Sequence, residues 1–346
     1  MEHSQGVLLI QKQKSATSGE WEQFAKIGIS KSLPPEDIVP GLPDEILTLC
    51  AIHSPMPEVL KSQILKRFSH LRASQNRLLL ENHLAENNIA SEAENIAADQ
   101  NKHLSILQAK QQLKHEISSG QTRKPTSEER LLHNEVINAK LELDTKEAEL
   151  TIIERILANE ISKSGGVEGV IKLSKRRQKP TLQKVNLKTD YKKLYEIYEH
   201  EEKPQTRGYI KLKSTKSIKK EDPILYSALI HSKINTDFTL DQLDQPLIKK
   251  TELCTFNHGQ YLKKMNEVTK AKWLYESLMD KLVVAVGDDD EIDGLVSWKR
   301  KKSTRLIFNE ANFAQDYPEI YSEYLNPEKV TINYRVSSFG AHRKMQ

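Results

Sequence analysis

The sequence predicts a mainly α chain, a long antiparallel helical hairpin of coiled-coil type joined to a small α+β C-terminal module. Three observations carry that expectation. Glu58–Ser119 holds neither proline nor glycine, so nothing in it interrupts a helix. Leu132, Val136, Ala139, Leu143, Leu150, Ile153 and Leu157 recur at steps of four and three, with Lys146 the one polar position on the seam. Such a repeat leaves a narrow apolar stripe that another helix must cover. Near the end of the chain, Val330, Ile332, Tyr334 and Val336 alternate with polar residues, the period of a strand with one buried face.

Composition sets the bounds. The 346 residues leave room for two or three domains. A charged fraction of 29%, an apolar fraction of 37% and an aromatic fraction of 6% are lean for one large core and suit exposed helix. Cys50 and Cys254 lie far apart in no motif, which speaks against a disulfide framework or a zinc cluster. Met1–Gln5 is polar and Val7–Ile10 is too short for a signal core. No stretch reaches the roughly 20 apolar residues that span a bilayer. A cytoplasmic setting without a membrane partner is expected.

Taken in order, residues 1–57 read as an irregular N-terminal cap, because Pro34, Pro35, Pro40, Pro43, Pro55 and Pro57 break any long helix. Residues 58–164 are expected to form the hairpin. Its first arm follows Ile64, Phe68, Leu71, Leu78, Leu84, Ile89, Ile96, Leu104 and Leu107 and closes at Gly120. After the turn Gln121–Pro125, Thr126 stands three residues before Glu129, a capping box that opens the second arm. That arm carries the seam and stops before Gly165-Gly166. A short connection between two long helices makes an antiparallel pair the economical arrangement, with packing into a wider bundle as the alternative. Whether the pair closes within one chain or between two stays open. Lys146 fits either a register device or a place where the stripe meets an acidic partner.

Residues 165–220 read as a basic linker or binding segment. Between Lys172 and Lys220 stand sixteen basic residues against five acidic ones, a local net of +11. Residues 221–346 form the expected α+β module. A helix runs from Asn257 through Leu262, Met265, Val268, Leu274, Leu278 and Leu282. Val283–Val286, Leu295–Lys299 and Arg305–Phe308 read as short strands around the acidic loop Gly287–Gly294, and Asn312–Leu325 as a returning helix.

Few chemistries survive inspection. Asp288, Asp289, Asp290, Glu291 and Asp293 invite a calcium loop with Gly294 at its sixth position, but the twelfth position is Arg300 instead of a bidentate carboxylate. A magnesium nuclease needs a second carboxylate before its lysine, and Ser297 stands there ahead of Lys299. His83, His103, His115 and His133 fall on the long helices in no ligand pattern, and no phosphate loop or serine elbow occurs. No catalytic residue, metal or cofactor is assigned.

The basic segment is the strongest functional signal. Lys172, Lys175, Arg176, Arg177, Lys179, Lys184, Lys192, Lys193, Lys211 and Lys213 are the candidate contacts to phosphates, which attract cations through counterion release. Tyr191 is their candidate stacking partner. Tyr191, Tyr195 and Tyr198 stack bases on one reading, and on the other form one face of a helix packed on protein.

The helix Met265–Leu282, Gly287-Asp288-Asp289-Asp290, Val296-Ser297-Trp298-Lys299, Asp316-Tyr317-Pro318-Glu319-Ile320-Tyr321 and Tyr334-Arg335-Val336 together resemble the tail of phage and prophage exonucleases. The family is that of the YqaJ/RecE-like viral recombinases. The family's metal-binding carboxylates and Glu-x-Lys strand have no counterpart, so no catalytic residue is carried over. The resemblance implies a phage or mobile-element protein working beside DNA processing. Two functions follow from the whole. One is a non-enzymatic scaffold that docks a protein partner, or a second copy, through the hairpin seam Leu132, Val136, Leu143, Leu150, Ile153 and Leu157. The other is a DNA- or RNA-binding accessory factor acting through residues 172–220, with a divergent nuclease as a third reading.

Overall fold

Val7, Leu8, Leu9 and Ile10 are all at most 8% exposed, because they form an interior strand of a sheet and are buried on both of its faces. The computed structural model describes residues 6–14, 19–30, 46–54, 57–80, 83–161, 164–233 and 238–338. In it β1 (Gly6–Lys14) lies between β2 (Trp21–Ser30) and β3 (Ile46–Ser54), antiparallel to both. Helix α1 (Pro57–Arg67) lays Leu60 and Ile64 against Leu8, Ile10, Ala25, Ile27 and Ile52. The hairpin β4 (Arg72–Ser74) and β5 (Arg77–Leu79) extends the sheet through β2, giving the order β3-β1-β2-β5-β4.

This corrects two expectations. In place of an irregular cap over residues 1–57 stands most of a five-stranded sheet. Pro34, Pro35, Pro40, Pro43 and Pro55 lie outside the described residues, and Pro57 opens α1, where its missing N–H leaves no bond unmade. The first helical arm is likewise interrupted. Leu71 and Leu78 belong to a 3-10 turn and to β5, and only α2 (His83–His115) is a long helix.

After β6 (Thr122–Arg123), α3 (Ser127–Asn159) starts at the expected capping box. Thr126 Oγ1 accepts from the Glu129 amide at 3.2 Å, and Glu129 Oε2 accepts from the Thr126 amide at 2.9 Å. Arg123 also grips Glu129, and this hydrogen-bonded pair brings the Glu129 carboxyl down to about 2, against the opposing effect of burial. A carboxyl depressed in the folded state contributes stability above its unfolded value, near 4.5, and that contribution disappears as pH falls toward 2. Acid unfolding of Glu129→Gln followed by circular dichroism is therefore expected to show a flatter limb between those values. An acid limb identical to that of the parent contradicts the assignment.

The chain then runs through β7 (Gly166–Val167), β8 (Ile171–Gln178), α4 (Lys184–Asp190), α5 (Lys192–Ile197), β9 (Glu199–Glu201) and β10 (Gln205–Leu212). It continues through α6 (Ile218–Glu221), α7 (Pro223–His231) and α8 (Glu252–Ala285). The C-terminal elements are β11 (Glu291–Ile292), β12 (Val296–Ser303), β13 (Leu306–Phe308), α9 (Glu310–Asp316), α10 (Pro318–Glu323) and β14 (Lys329–Val336).

Helix α8 is the partner of the heptad seam. At one end Leu157 shares a buried cluster with Cys254; at the other, Val136 meets Leu282 and Val283, so the two helices run antiparallel. Lys146 reaches Glu267 of α8 at 3.2 Å, and Lys264 of α8 reaches Glu149 at 2.8 Å. The predicted hairpin over residues 58–164 is thus replaced: α3 pairs with α8, while α2 packs on α1, β3 and the other flank of α8. Val283 is the last turn of this helix instead of a strand, because Val283 and Val286 are buried against Val136 and Trp298. The returning helix splits into α9 and α10 at Pro318.

The mainly α expectation is overturned as a whole. Among the described residues the strands form four sheets, so the chain is an α+β fold. The presumed linker is itself structured: β8 pairs with β14 and β10 with β12, each joining segments far apart in sequence. No described helix is long and apolar enough to cross a membrane.

Candidate functional site

Along β8, Ile171 and Leu173 point into the cluster with Leu157 and Val336 and anchor the strand to the helix pair. Beyond Leu173 the strand leaves the core, and Lys175, Arg176 and Arg177 are exposed, as are Lys172 and Lys179. Its partner β14 adds two further cations, Lys329 opposite Gln178 and Arg335 opposite Lys172. Like charges placed directly across an antiparallel pair are destabilising. A polyanion laid over Lys172 and Arg335 removes that repulsion.

The candidate cations divide by partner. Arg177 meets Glu328 at 3.6 Å, Lys184 meets Glu310 at 3.0 Å, Lys192 meets Glu196 at 4.0 Å and Lys213 meets Glu291 at 2.9 Å. Lys172, Lys175, Arg176, Lys179, Lys193 and Lys211 have no carboxylate partner among the described residues. The first four lie along β8 and just past its end, so the strand holds the densest run of uncompensated charge. Lys193 sits apart on α5, and Lys211 belongs to the other ribbon on β10.

The tyrosines are structural. Tyr195 stacks on Phe308 with centroids 4.2 Å apart, and Tyr191 meets Tyr324 edge-on at 6.0 Å. Tyr198 donates its hydroxyl to Asp316 and Tyr324 donates to Asp190, each at 2.6 Å. Those hydrogen bonds to carboxylates push both phenols up to about 12. Tyr195 lies in α5 with Tyr191 and Tyr198 at its two caps, so the three do not form one face of a single helix, and each ring packs on another aromatic.

The acidic loop is occupied by the protein itself. Asp290 accepts from the Ser118 hydroxyl and, at 3.2 Å, from the Gly120 amide; Asp289 takes Arg123 at 3.2 Å. Arg300 is fully buried, donates to the carbonyls of Leu113 and Gly287, and lies 4.5 Å over the Trp298 ring. Burial lowers its pKa, opposed by nearby Asp288. It thereby fastens the end of α2 to β12. No group of three or more metal-ligating side chains gathers among the described residues.

A cleft of about 540 Å³ opens between α1, α2 and α8. In its wall His103 Nε2 lies 3.1 Å from Asp280 Oδ2, Lys110 also binds Asp280, and the imidazole stands edge-on to Trp273. This resembles the base half of a triad but lacks the nucleophile. The nearby hydroxyls of Thr269 and Ser277 donate to the Met265 and Leu274 carbonyls of their own helix. The cleft therefore holds a buried histidine hydrogen-bonded to a carboxylate and, among the described residues, no aligned attacking group.

Sequence reading missed Lys299, Lys301 and Lys302, which are exposed on β12 without a carboxylate partner among the described residues. Comparison with known proteins finds no matching family model, no matching curated protein and no matching solved structure.

Proposed function

We propose that this chain is a non-catalytic accessory protein that binds duplex DNA through the β8–β14 ribbon. The observation that carries the reading is the run Lys172, Lys175, Arg176 and Lys179, exposed and unmatched by carboxylates among the described residues. A two-stranded ribbon fits a duplex groove, and cations on it bind phosphates without reading sequence. Duplex is favoured over single strand because Tyr195 and Tyr198 are engaged in the core. The likeness of the C-terminal words to phage exonuclease tails supports a setting in DNA processing. Docking through the seam Leu132, Val136, Leu143, Leu150, Ile153 and Leu157 loses its basis, since α8 already covers that stripe.

The test is fluorescence anisotropy with a labelled duplex of about 25 base pairs, titrated between roughly 50 and 200 mM salt. Four phosphate contacts imply a fall in affinity of roughly a hundredfold over that range. Affinity that stays level with salt rules the proposal out. Incubation of linear duplex with magnesium is expected to leave it intact, and digestion would remove the non-catalytic half of the reading.

A further inference from the structure

We infer that the ribbon formed by β12 and β10 is a second duplex-binding site equivalent to the first, because the chain carries two copies of one motif that have exchanged their last strands. The inference rests on the nucleic-acid reading of the β8–β14 ribbon.

The duplication is written in backbone pairing. Helix α3 has 33 residues and α8 has 34, and each opens on a threonine, Thr126 or Thr251, whose hydroxyl accepts from the amide three residues on. At the same spacing, Val167 pairs in parallel with Ile248, and Ile292 with Arg123. Each helix leads to a tight hairpin, with Gly166↔Lys172 and Val167↔Ile171 in one and Glu291↔Ser297 and Ile292↔Val296 in the other. Its turn is centred on a glycine at positive φ, Gly169 at 70° and Gly294 at 71°, where a side chain is strained.

Each hairpin then receives the closing strand of the opposite copy. Ile171 pairs with Val336 on β14, and Val296 with Leu212 on β10. The crossing is reciprocal in the side chains as well. Tyr198 of the first copy donates to Asp316 of the second, while Tyr324 of the second donates to Asp190 of the first. The flanking ring pairs match too, Tyr191 with Tyr324 at 6.0 Å and Tyr198 with Tyr317 at 6.1 Å. A single chain has thus built what a strand-exchanged dimer builds from two.

Charge follows the same pattern. Arg176 and Arg177 correspond in register to Lys301 and Lys302, and Lys299 adds a third exposed cation. Lys301 stands directly opposite Arg207 as Lys172 stands opposite Arg335, with the difference that Glu202 pairs with Arg207. The counterpart of Lys175 is Arg300, which is buried and serves the end of α2. Lys211 on β10 completes the second set. The ribbons sit at opposite ends of the α3–α8 pair, near Leu157 and near Val136, which helical rise sets about 30 Å apart. Two short duplexes can therefore be held at once.

Stoichiometric titration of the full chain with a duplex of about 10 base pairs, one turn of DNA, separates the possibilities. The parent is expected to bind two, and the triple variant Lys299→Gln, Lys301→Gln, Lys302→Gln to bind one. The charge-keeping variant with arginine at the same three positions is expected to restore two. One duplex per parent chain, lost on changing β8 and untouched on changing β12, overturns the second site and leaves the first standing. Binding that neither set of substitutions alters places the contacts off both ribbons and overturns the β8–β14 assignment as well.

Discussion

Truncation of Phe313 to alanine is expected to cost about 4 kcal/mol of stability, read from the urea midpoint. Phe313 is fully buried in the cluster that joins the two exchanged halves, with Leu182, Leu187, Tyr195 and Phe308 around it. Its ring lies 5.2 Å from Phe308, 5.3 Å from Tyr198 and 5.7 Å from Tyr317. Removing it deletes the transfer energy of a whole ring and leaves a cavity that aromatic neighbours, tied by Tyr198–Asp316 and Tyr324–Asp190, collapse into poorly. Leu306→Ala, on the same stretch but 59% exposed, is expected to change stability by less than about 0.5 kcal/mol. A loss below about 1 kcal/mol at Phe313 would mean that the halves do not meet through this cluster.

Replacement of Lys172, Lys175, Arg176 and Lys179 by glutamine, made in the triple variant that already lacks the β12 cations Lys299, Lys301 and Lys302, is expected to reduce duplex affinity and to flatten its salt dependence. Each phosphate contact contributes about 0.9 to the slope of log affinity against log salt, so four contacts remove about 3.6. The fold is expected to persist, because all four side chains are exposed and none has a carboxylate partner among the described residues. Arg177→Gln alone is expected to do less, since Glu328 partly satisfies that charge. A slope unchanged in the fourfold variant places the DNA contacts elsewhere on the molecule.

Local chemistry was legible in the sequence and partnership was not. The capping box at Thr126 and Glu129 and the seam from Leu132 to Leu157 involve neighbours a few residues apart, and both lie where the spacing put them. The covering helix is not legible, because a stripe specifies that it needs a partner without naming one. Helix α8 and the first arm both offered apolar residues, and only tertiary packing chose between them. The N-terminal sheet was missed for a different reason. Val7–Ile10 is covered on both faces, so the alternation that betrays a half-exposed strand is absent.

The duplication left a signal that went unread. Asp190-Tyr191, Tyr195 and Tyr198 repeat as Asp316-Tyr317, Tyr321 and Tyr324, with the same spacing. Taken alone, the first set reads as a stacking or packing face and the second as part of the resemblance to phage exonuclease tails. Together the two sets align β8 with β12 and place Lys299, Lys301 and Lys302 beside the β8 cations. The acidic loop misled in the opposite sense. Its carboxylates looked available in the sequence, yet Asp289 and Asp290 are engaged by Arg123, Ser118 and Gly120.

Amide hydrogen exchange of the full chain with and without saturating duplex is the most direct examination of where the nucleic acid lies. Slower exchange confined to residues 171–178 with 329–336, and to 205–212 with 296–303, is the result this architecture requires. Slowing instead in the N-terminal sheet or around the cleft beside His103, with both ribbons exchanging as before, would contradict it.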